Sequence, residues 1–177
     1  MINRENGEFH FAPGDWIVHS NHGVGRVAAI EDKKIGRKKT SYYRVESEQT
    51  TMWVPVEKQA LLRAVISPED LQQTLAILKR PSRRMSPVFQ SRMAYIRQAE
   101  AKGTPQELAR VVRDLWARRR RRGDLSNTEG QVLRDLTDRL LAEWSVSAQM
   151  EKARFVKNYI HYCGRIRCPQ LTKRLVC

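Results

Sequence analysis

Four segments in the C-terminal two-thirds of the chain begin with the signals of an α-helix. Ser67-Pro68 and Thr104-Pro105 each place a hydroxyl residue before a proline, with an acidic residue in the turn that follows. A hydroxyl side chain at the N-cap accepts a hydrogen bond from the first turn, and proline suits the first helical position because no N–H is needed there. Ser86-Pro87 repeats the hydroxyl-proline start, and Ser126 with Glu129 forms a capping box. Four such starts predict four helices.

The ends of these helices are also marked. Gly103 and Gly123 lie where a left-handed residue commonly ends a helix. The starts and ends together predict helices over residues 68–79, 87–102, 105–122 and 127–160, with "WSVSAQ" in the last one as a place for a break. The connections are only a few residues long, which favours antiparallel packing of neighbouring helices into a bundle.

A different pattern precedes Ile66. The stretches "DWIVHS", "GRVAAIED", "TSYYRVES" and "TMWVPV" are rich in β-branched and aromatic residues, and turn sequences such as "NHGVG" separate them. Pro55 closes the last stretch, because proline has no N–H to donate to a central strand. Several short strands at this spacing predict a small β-barrel. The predicted fold class is therefore α+β, with a small β-barrel followed by an all-α helical bundle.

Charge separates the same two parts of the chain. The chain has 33 Lys plus Arg against 19 Asp plus Glu, which gives a net charge of +14 and a pI near 10.3. Residues 1–66 have 10 basic and 8 acidic residues, a net +2, and residues 67–177 have 23 and 11, a net +12. A basic field of this size attracts polyanions, nucleic acid first and anionic membrane second. The helical part is predicted to bind nucleic acid, and the nearly neutral barrel is predicted to dock a protein.

Other features argue against a membrane protein and against a metal or disulfide scaffold. No apolar run approaches the roughly 20 residues of a membrane span, and "MINRENGEFHFAPGD" has no apolar signal segment, so we expect a soluble, intracellular protein. Cys163, Cys168 and Cys177 lie near one chain end in an odd number, which argues against a disulfide framework. With His161 they do not give the spacing of a zinc site, and we predict neither a metal nor a cofactor.

No enzyme motif is recognisable. The sequence has no paired carboxylates in a Gly-rich setting, no nucleophile beside a histidine and no phosphate-binding P-loop, so we predict that the protein is not an enzyme. A histidine that shares a cleft with an acid or a thiol would contradict this prediction. "NHGVG" is interpreted as a hairpin turn with a histidine that packs or hydrogen-bonds, since a phosphate-binding loop would need a following helix N-terminus.

Five consecutive arginines, Arg118 to Arg122, end the third predicted helix. Cations at a helix C-terminus suit the helix dipole in any protein, but five in a row exceed that need. Three or four of them could reach DNA phosphates, which gives salt-sensitive binding that is mostly blind to sequence. Trp116 shares an apolar stripe with Val112 and Leu108 and is interpreted as core, and Trp144 is interpreted in the same way.

The residues around Phe89 leave two roles open for it. Met93 and Ile96 lie on its face of the predicted helix, which is the pattern of a core stripe. Arg83 and Arg84 precede it and Arg92 follows, which is the pattern of an aromatic side chain at a nucleic-acid surface.

Two segments resemble one known family. "FAPGDWIVHSNHGVGRVAAIEDKKI" followed by "YYRVESEQTTMWVPVE" is similar to the N-terminal domain of the CarD-like bacterial transcription regulators, which also occurs in transcription-repair coupling factor. The elements Gly14-Asp15, "HGVG" and Val54-Pro55 match in order and spacing. "ELARVVRDLWARRRRRGDLSNTE" resembles the second domain of the same family, so the resemblance covers about residues 9 to 145.

This resemblance implies a Tudor-like barrel that binds the lobe of the RNA polymerase β subunit. It also implies a helical domain that contacts promoter DNA at the upstream edge of the melted bubble. Matched by position, the polymerase contacts fall on Lys33 and on Trp53, where family members often have arginine. If Trp53 belongs to the barrel core instead, Arg44 or Met52 would face the polymerase, because side chains alternate along a strand.

The resemblance also implies a role for Phe89. Counting back from "VVRDLW", with the helix-ending Gly103 matched, places the family's minor-groove wedge tryptophan at Phe89. Phenylalanine is itself one of the apolar wedges that minor-groove proteins insert at base steps. Arg92 matches a family basic position and is expected to hold a phosphate, whereas two other such positions are Ala94 and Gly130 here. The predicted DNA contacts are Phe89, Arg83, Arg84, Arg92, Arg118, Arg119, Arg121 and Arg122.

These observations predict a monomeric, cytoplasmic, nucleoid-associated transcription regulator. We expect it to bind the RNA polymerase β subunit and double-stranded promoter DNA, and to stabilise the open complex. The predicted domains are residues 1–66 for polymerase, residues 67–162 for DNA, and a disordered basic tail over 163–177. The alternative is a general basic architectural protein that binds DNA or RNA without polymerase, which would leave the neutral barrel unexplained.

Overall fold

The computed structural model describes residues 3–5, 8–35, 38–48, 50–150 and 154. The chain divides into two compact units, Met1–Val65 and Ile66–Cys177. The strands of the first unit are β1 Asn3–Glu5, β2 Glu8–His10, β3 Trp16–His19, β4 Gly23–Ile35, β5 Lys38–Glu46, β6 Thr51–Pro55 and β7 Leu62–Ala64, with a 3-10 helix at Val56–Leu61. The helices of the second unit are α1 Pro68–Lys79, α2 Phe89–Lys102, α3 Pro105–Arg122 and α4 Asn127–Ser147. The predicted α+β class is confirmed.

The first unit is built on a five-stranded antiparallel sheet in the order β6-β5-β4-β3-β7. Strands β1 and β2 form a separate hairpin. The 3-10 helix carries the chain from one edge strand, β6, to the other, β7, and it contacts β5 as well as both edge strands. The two edges are thus linked by this helix rather than by hydrogen bonds between strands.

Alternating side chains of the sheet form the core of the first unit. Its fully buried members are Phe11, Ile17, Val27, Tyr43, Val45, Val54 and Leu62. The rings of Phe11 and Tyr43 meet edge to face at 5.9 Å, a favourable arrangement for two aromatic side chains. This core leaves the opposite face of β4, β5 and β6 to solvent.

The "NHGVG" sequence is a hairpin turn between β3 and β4, as predicted. Gly23 has φ 74°, which glycine adopts without strain, and it lies opposite His19 in the ladder. His19 is buried, and its Nδ1 accepts hydrogen bonds from the backbone N–H groups of Asn21 and His22. Gly25 has a different constraint, because a Cβ there would lie 2.6 Å from Val45 Cγ1 on the neighbouring strand. The close approach of β4 and β5 therefore needs glycine at this position.

Three of the four helix starts lie where the sequence predicts them. The hydroxyls of Ser67, Thr104 and Ser126 each accept a hydrogen bond from the backbone of the first turn. The ends of α1 and α3 also match, and Gly103 ends α2 with a φ of 62°. Helix α4 ends at Ser147, inside "WSVSAQ". Of the extension predicted to residue 160, residues 151–153 and 155–160 lie outside the described residues.

The predicted start of α2 is wrong. The helix begins at Phe89 with Val88 as N-cap, not at Ser86-Pro87, and no side chain caps it. The Ser86 hydroxyl accepts a hydrogen bond from Val88 N–H, so it folds onto its own turn and not onto the first turn of the helix. Residues 80–88 consequently form an irregular connection between α1 and α2.

Helix α3 is the centre of the second unit, because α1, α2 and α4 all pack against it. Ala109, Val111 and Leu115 of this helix are completely buried. Trp144 is core, as predicted, whereas Trp116 is only half-buried. The predicted tail over 163–177, with its three cysteines, and His161 lie outside the described residues.

Candidate polymerase and nucleic-acid interfaces

Strand β6 decides between the two predicted orientations of Met52 and Trp53. Met52 packs against the core beside Val54, whereas Trp53 points outward with 44% of its surface exposed. The interpretation of Trp53 as barrel core is therefore wrong. Met52 is also corrected as a polymerase contact, because its side chain faces the interior.

Trp53 lies in a group of charged side chains on three neighbouring strands. Its indole Nε1 donates a hydrogen bond to Glu31 Oε2 at 3.1 Å, and Lys33 Nζ lies 3.7 Å from the ring centroid. Arg44 is the ladder partner of Trp53, and its Nε lies 2.8 Å from Glu31 Oε1. Glu31, Lys33, Arg44 and Trp53 are hereafter called the Trp53 cluster. The structure thus brings together three of the four residues predicted to contact polymerase.

Glu31 is the acceptor at the centre of the Trp53 cluster. The indole hydrogen bond of Trp53, with help from Arg44 and Lys33, lowers the pKa of Glu31 below its ordinary value. The carboxylate is therefore ionised at neutral pH and balances one of the two cations. Arg44 also pairs with Glu46 on its own strand. The cluster therefore offers a partner an exposed aromatic side chain beside charged groups of both signs, which suits an anchor in a protein interface.

The start of α2 exposes two adjacent apolar side chains. Val88 is 55% exposed and Phe89 is 38% exposed, and Phe89 is not part of the buried core. The core contacts of this helix come instead from Ile96 and Ala99. Val88 and Phe89 are hereafter called the apolar tip.

Arg92 lies beneath the apolar tip and is only 5% exposed. Its Nη1 donates hydrogen bonds to the carbonyl oxygens of Ser86 at 3.1 Å and Pro87 at 2.7 Å. Its Nε donates to Glu129 Oε1 at 2.5 Å. The prediction that Arg92 holds a DNA phosphate is therefore corrected, because the guanidinium is buried and already occupied by these acceptors.

Glu129 receives a second arginine. Arg118 Nε lies 3.5 Å from Glu129 Oε1, an ion-pair distance, and 14% of the Arg118 side chain is exposed. The hydrogen bonds that hold Glu129 come from Arg92 and from the capping box, in which Glu129 Oε2 accepts from Ser126 N–H at 3.1 Å. Arg118 is thus also corrected as a phosphate contact, because it points at this carboxylate.

The irregular connection before α2 carries Arg83 and Arg84, both exposed. Asp114 of α3 fixes its path, because its buried carboxylate accepts a hydrogen bond from Arg83 N–H at 2.9 Å. Tyr95 O–H donates to the same carboxylate at 3.2 Å, and burial together with the charge of Asp114 raises the pKa of Tyr95 to about 12. The two arginine side chains therefore stand on an anchored backbone.

The remaining arginines of the run reach further toward solvent. Arg119 lies over the Trp116 ring at 5.6 Å, a cation–π contact that also covers the half-buried indole. Arg121 and Arg122 are exposed, and Arg121 Nη1 donates a hydrogen bond to Ser82 Oγ at 3.2 Å. This bond brings the end of α3 beside the connection that carries Arg83 and Arg84.

An open cavity of about 810 Å³ lies beside the apolar tip. Its lining includes Arg83, Arg84, Tyr95 and Asp114, and it contains neither a histidine nor a thiol. Within the part of the chain that the structure describes, no group of three His, Cys, Asp or Glu residues could hold a metal ion.

Sequence reasoning missed three acidic residues that organise these surfaces. Glu31, Asp114 and Glu129 each bind two or more partners on other elements. Only Glu129 had a local signal, the capping box with Ser126, and that signal describes its own helix rather than its contact with α2.

Comparison with known proteins finds two family models that match this chain. Residues 11–66 match the model of the CarD-like/TRCF RID domain, and residues 73–160 match the model of the CarD C-terminal domain. The chain belongs to the CarD-like family. These are transcription factors with an RNA polymerase-interacting domain, and the resemblance seen in the sequence is confirmed.

Two relatives illustrate the match. The putative transcription factor YdeB of Bacillus subtilis is 29% identical over 141 residues, which cover 77% of this chain and 91% of YdeB. The transcription-repair-coupling factor of Staphylococcus aureus strain USA300 is 33% identical over 58 residues, which cover 32% of this chain. The matched segment spans only 5% of that much longer protein. In the described residues of this CarD-like chain, no helix is long and apolar enough to cross a bilayer.

Proposed function

We propose that this CarD-like protein binds the lobe of the RNA polymerase β subunit through the Trp53 cluster and contacts promoter DNA through the apolar tip. In this proposal Phe89 enters the minor groove at the upstream edge of the melted bubble. Arg83, Arg84, Arg119, Arg121 and Arg122 hold the neighbouring phosphates. The result is a longer-lived open complex.

The exposure of Phe89 carries this proposal. Two adjacent apolar side chains, Val88 and Phe89, are exposed at the start of a helix next to exposed arginines, and this arrangement suits insertion of Phe89 between base pairs. The net charge of +12 over residues 67–177 supports phosphate contact. A wedge that fits only a deformed junction binds melted DNA more tightly than closed DNA, and this difference shifts the equilibrium toward the open state.

The first unit has a separate role in the proposal. The outward position of Trp53, between Lys33 and Glu31, supports its use as an aromatic anchor where family members often have arginine. Arg44, its ladder partner, supplies a guanidinium on the same surface. Docking on polymerase would then hold the DNA-binding unit near its site at high effective concentration, so that weak DNA affinity is sufficient.

Binding to the isolated β lobe tests the polymerase interface. We expect Trp53→Ala to weaken binding at least about 10-fold, since buried aromatic anchors commonly dominate an interface. Trp16→Ala is the control, because Trp16 is 42% exposed on β3, and strands β4 and β5 lie between β3 and the strand of Trp53. If the intact protein binds DNA but does not bind the β lobe, the result would favour the alternative of a general architectural protein that acts without polymerase.

A further inference from the structure

The turn before α2 is held in an unusual way. Helices α1, α3 and α4 each begin with a hydroxyl side chain bound to the first turn, whereas the N-cap of α2 is Val88, which has no polar side chain. An uncapped helix start has free N–H groups and tends to fray. A contact other than an N-cap must therefore hold the turn that leads into the apolar tip.

Arg92 supplies that restraint from inside the helix. Its guanidinium reaches back to the carbonyl oxygens of Ser86 and Pro87, the two residues immediately before the apolar tip. A guanidinium is planar and rigid, so two bonds from one nitrogen and a third from Nε fix both its own position and that of the turn. The Arg92 Cζ atom also lies 5.7 Å from the Phe89 ring centroid.

Glu129 fixes the guanidinium in turn. The two carboxylate oxygens of Glu129 have different partners. Oε1 accepts a hydrogen bond from Arg92 Nε, and Oε2 accepts one from Ser126 N–H. Ser126 Oγ accepts from Glu129 N–H at 3.2 Å, which closes the capping box at the start of α4. A continuous set of hydrogen bonds therefore connects α4 to the turn that presents Phe89.

Burial makes this set of contacts specific. Arg92 and Glu129 are 5% and 1% exposed, so neither charge has water as an alternative partner. A buried ion pair adds little net stability compared with an apolar pair, but it tolerates few alternative geometries because each unmade bond leaves a buried polar group. Such a pair is well suited to fixing a conformation.

We propose that Arg92 and Glu129 are positioning residues that hold the Ser86–Phe89 segment in the conformation that inserts Phe89 into DNA. This inference rests on the proposed function. With the segment already ordered, little conformational entropy is lost when Phe89 inserts, and a larger share of the contact energy stabilises the open complex. Neither residue touches DNA in this scheme.

Two variants separate positioning from general folding. Arg92→Lys keeps the charge but loses the fork that binds two carbonyls and the carboxylate together. Glu129→Gln keeps the length and the residue type of a capping box, yet it places an NH2 donor at one of the two oxygen positions that accept from Arg92 and Ser126. Glu107→Gln is the matched control, because Glu107 has the same position after its cap Thr104 and pairs with the more exposed Arg110.

The first measurement is the backbone NMR order parameter of Ser86, Val88 and Phe89 in the full chain. We expect rigid values of about 0.85 in wild type and in Glu107→Gln, and values below about 0.6 in Arg92→Lys and Glu129→Gln. Unchanged order parameters in both variants would overturn the positioning role while leaving any effect of Phe89→Ala on transcription intact.

The second measurement is open-complex lifetime in a double-mutant cycle. If Arg92 acts through Phe89, Arg92→Lys shortens the lifetime about 5-fold in wild type and causes no further shortening in the Phe89→Ala background. Equal shortening in both backgrounds would overturn the inference, because Arg92 would then act independently of the wedge. If Phe89→Ala alone does not change the open-complex lifetime, the proposed function fails. The role of Arg92 and Glu129 in transcription then fails as well, even if the order parameters show that they hold the segment.

Discussion

Arg92 Nε and Glu129 Oε1 lie 2.5 Å apart, and both side chains are buried. We predict that Arg92→Met destabilises the helical unit by about 3 kcal/mol, the lower end of the range for a buried pair that loses one partner, because Arg118 remains near Glu129. Hydrogen exchange of the buried α4 amides measures this loss in the helical unit alone.

A control for this prediction is Arg110→Met. Arg110 pairs with Glu107, and the Arg110 side chain is 42% exposed. Exposed pairs typically contribute less than about 1 kcal/mol, so the control should unfold almost as wild type does. Equal losses in the two variants would contradict the distinction between the buried and the exposed pair.

The same pair predicts a dependence of stability on pH. Burial alone would raise the pKa of Glu129, but the hydrogen bonds from Arg92 and Ser126 and the charge of Arg92 outweigh it and lower the pKa below its ordinary value of 4.5. A carboxyl whose pKa is lower in the folded than in the unfolded chain stabilises the fold above its unfolded pKa. This stabilisation is lost as pH falls through the folded pKa.

We therefore expect the free-energy advantage of wild type over Glu129→Gln to be constant at neutral pH and to shrink as pH falls below about 4.5. Hydrogen exchange of α4 amides, referenced to intrinsic rates at each pH, measures the advantage. An advantage that stays the same down to about pH 3 would show that Glu129 is not held ionised by Arg92.

Sequence reasoning succeeded where local signals decide the structure. The hydroxyl and proline at Ser67-Pro68 and Thr104-Pro105 act on their own first turns, and α1 and α3 begin at the predicted residues. The same signal failed at Ser86-Pro87, because the carbonyl oxygens of these residues bind Arg92. That contact also depends on Glu129, which is 37 residues beyond Arg92 in the sequence.

The candidate site residues also differ in whether local sequence or tertiary packing determines their contacts. An arginine beside an exposed aromatic looks like a DNA contact, and nothing local to Arg92 or Arg118 indicates that both point at one buried carboxylate. The alternation of Met52 and Trp53 was predictable, but which of them faces outward depends on the register of β5 with β6. Tertiary packing thus determined the outcomes that sequence patterns left open.

Glycine positions give a prediction about packing. We expect Gly25→Ala to destabilise the first unit by about 1–3 kcal/mol, because its Cβ would lie 2.6 Å from Val45 Cγ1 and 3.1 Å from Glu46 O. Gly130→Ala should instead stabilise the chain by up to about 1 kcal/mol, since its Cβ in α4 meets only Arg134 Nη1, at 3.7 Å. Hydrogen exchange of the backbone amides in each unit measures both changes in the free energy of unfolding. If Gly25→Ala stabilised the first unit, this result would contradict the close contact of β4 with β5.

The arginine run gives a prediction about salt. If the exposed Arg121 and Arg122 each hold a phosphate, replacing both with Gln makes the negative slope of log affinity against log salt shallower by roughly 1.8 on duplex DNA. Arg118→Gln should leave the slope unchanged, because the Arg118 side chain is 14% exposed and points at Glu129. A salt titration of DNA binding by the three proteins measures these slopes. An unchanged slope in the double variant would remove these arginines from the DNA interface.

Phe89 is proposed to act as a wedge and not as a core residue, and the lifetime of the open promoter complex with wild type and Phe89→Ala tests this role. Stacking of a base on an aromatic side chain contributes roughly 1–3 kcal/mol, so we expect the lifetime to fall about 10-fold while binding to polymerase is unchanged. Since Phe89 is 38% exposed, the thermal stability of the free protein should change little. An unchanged lifetime together with a clear loss of thermal stability would contradict the wedge and assign Phe89 to the core.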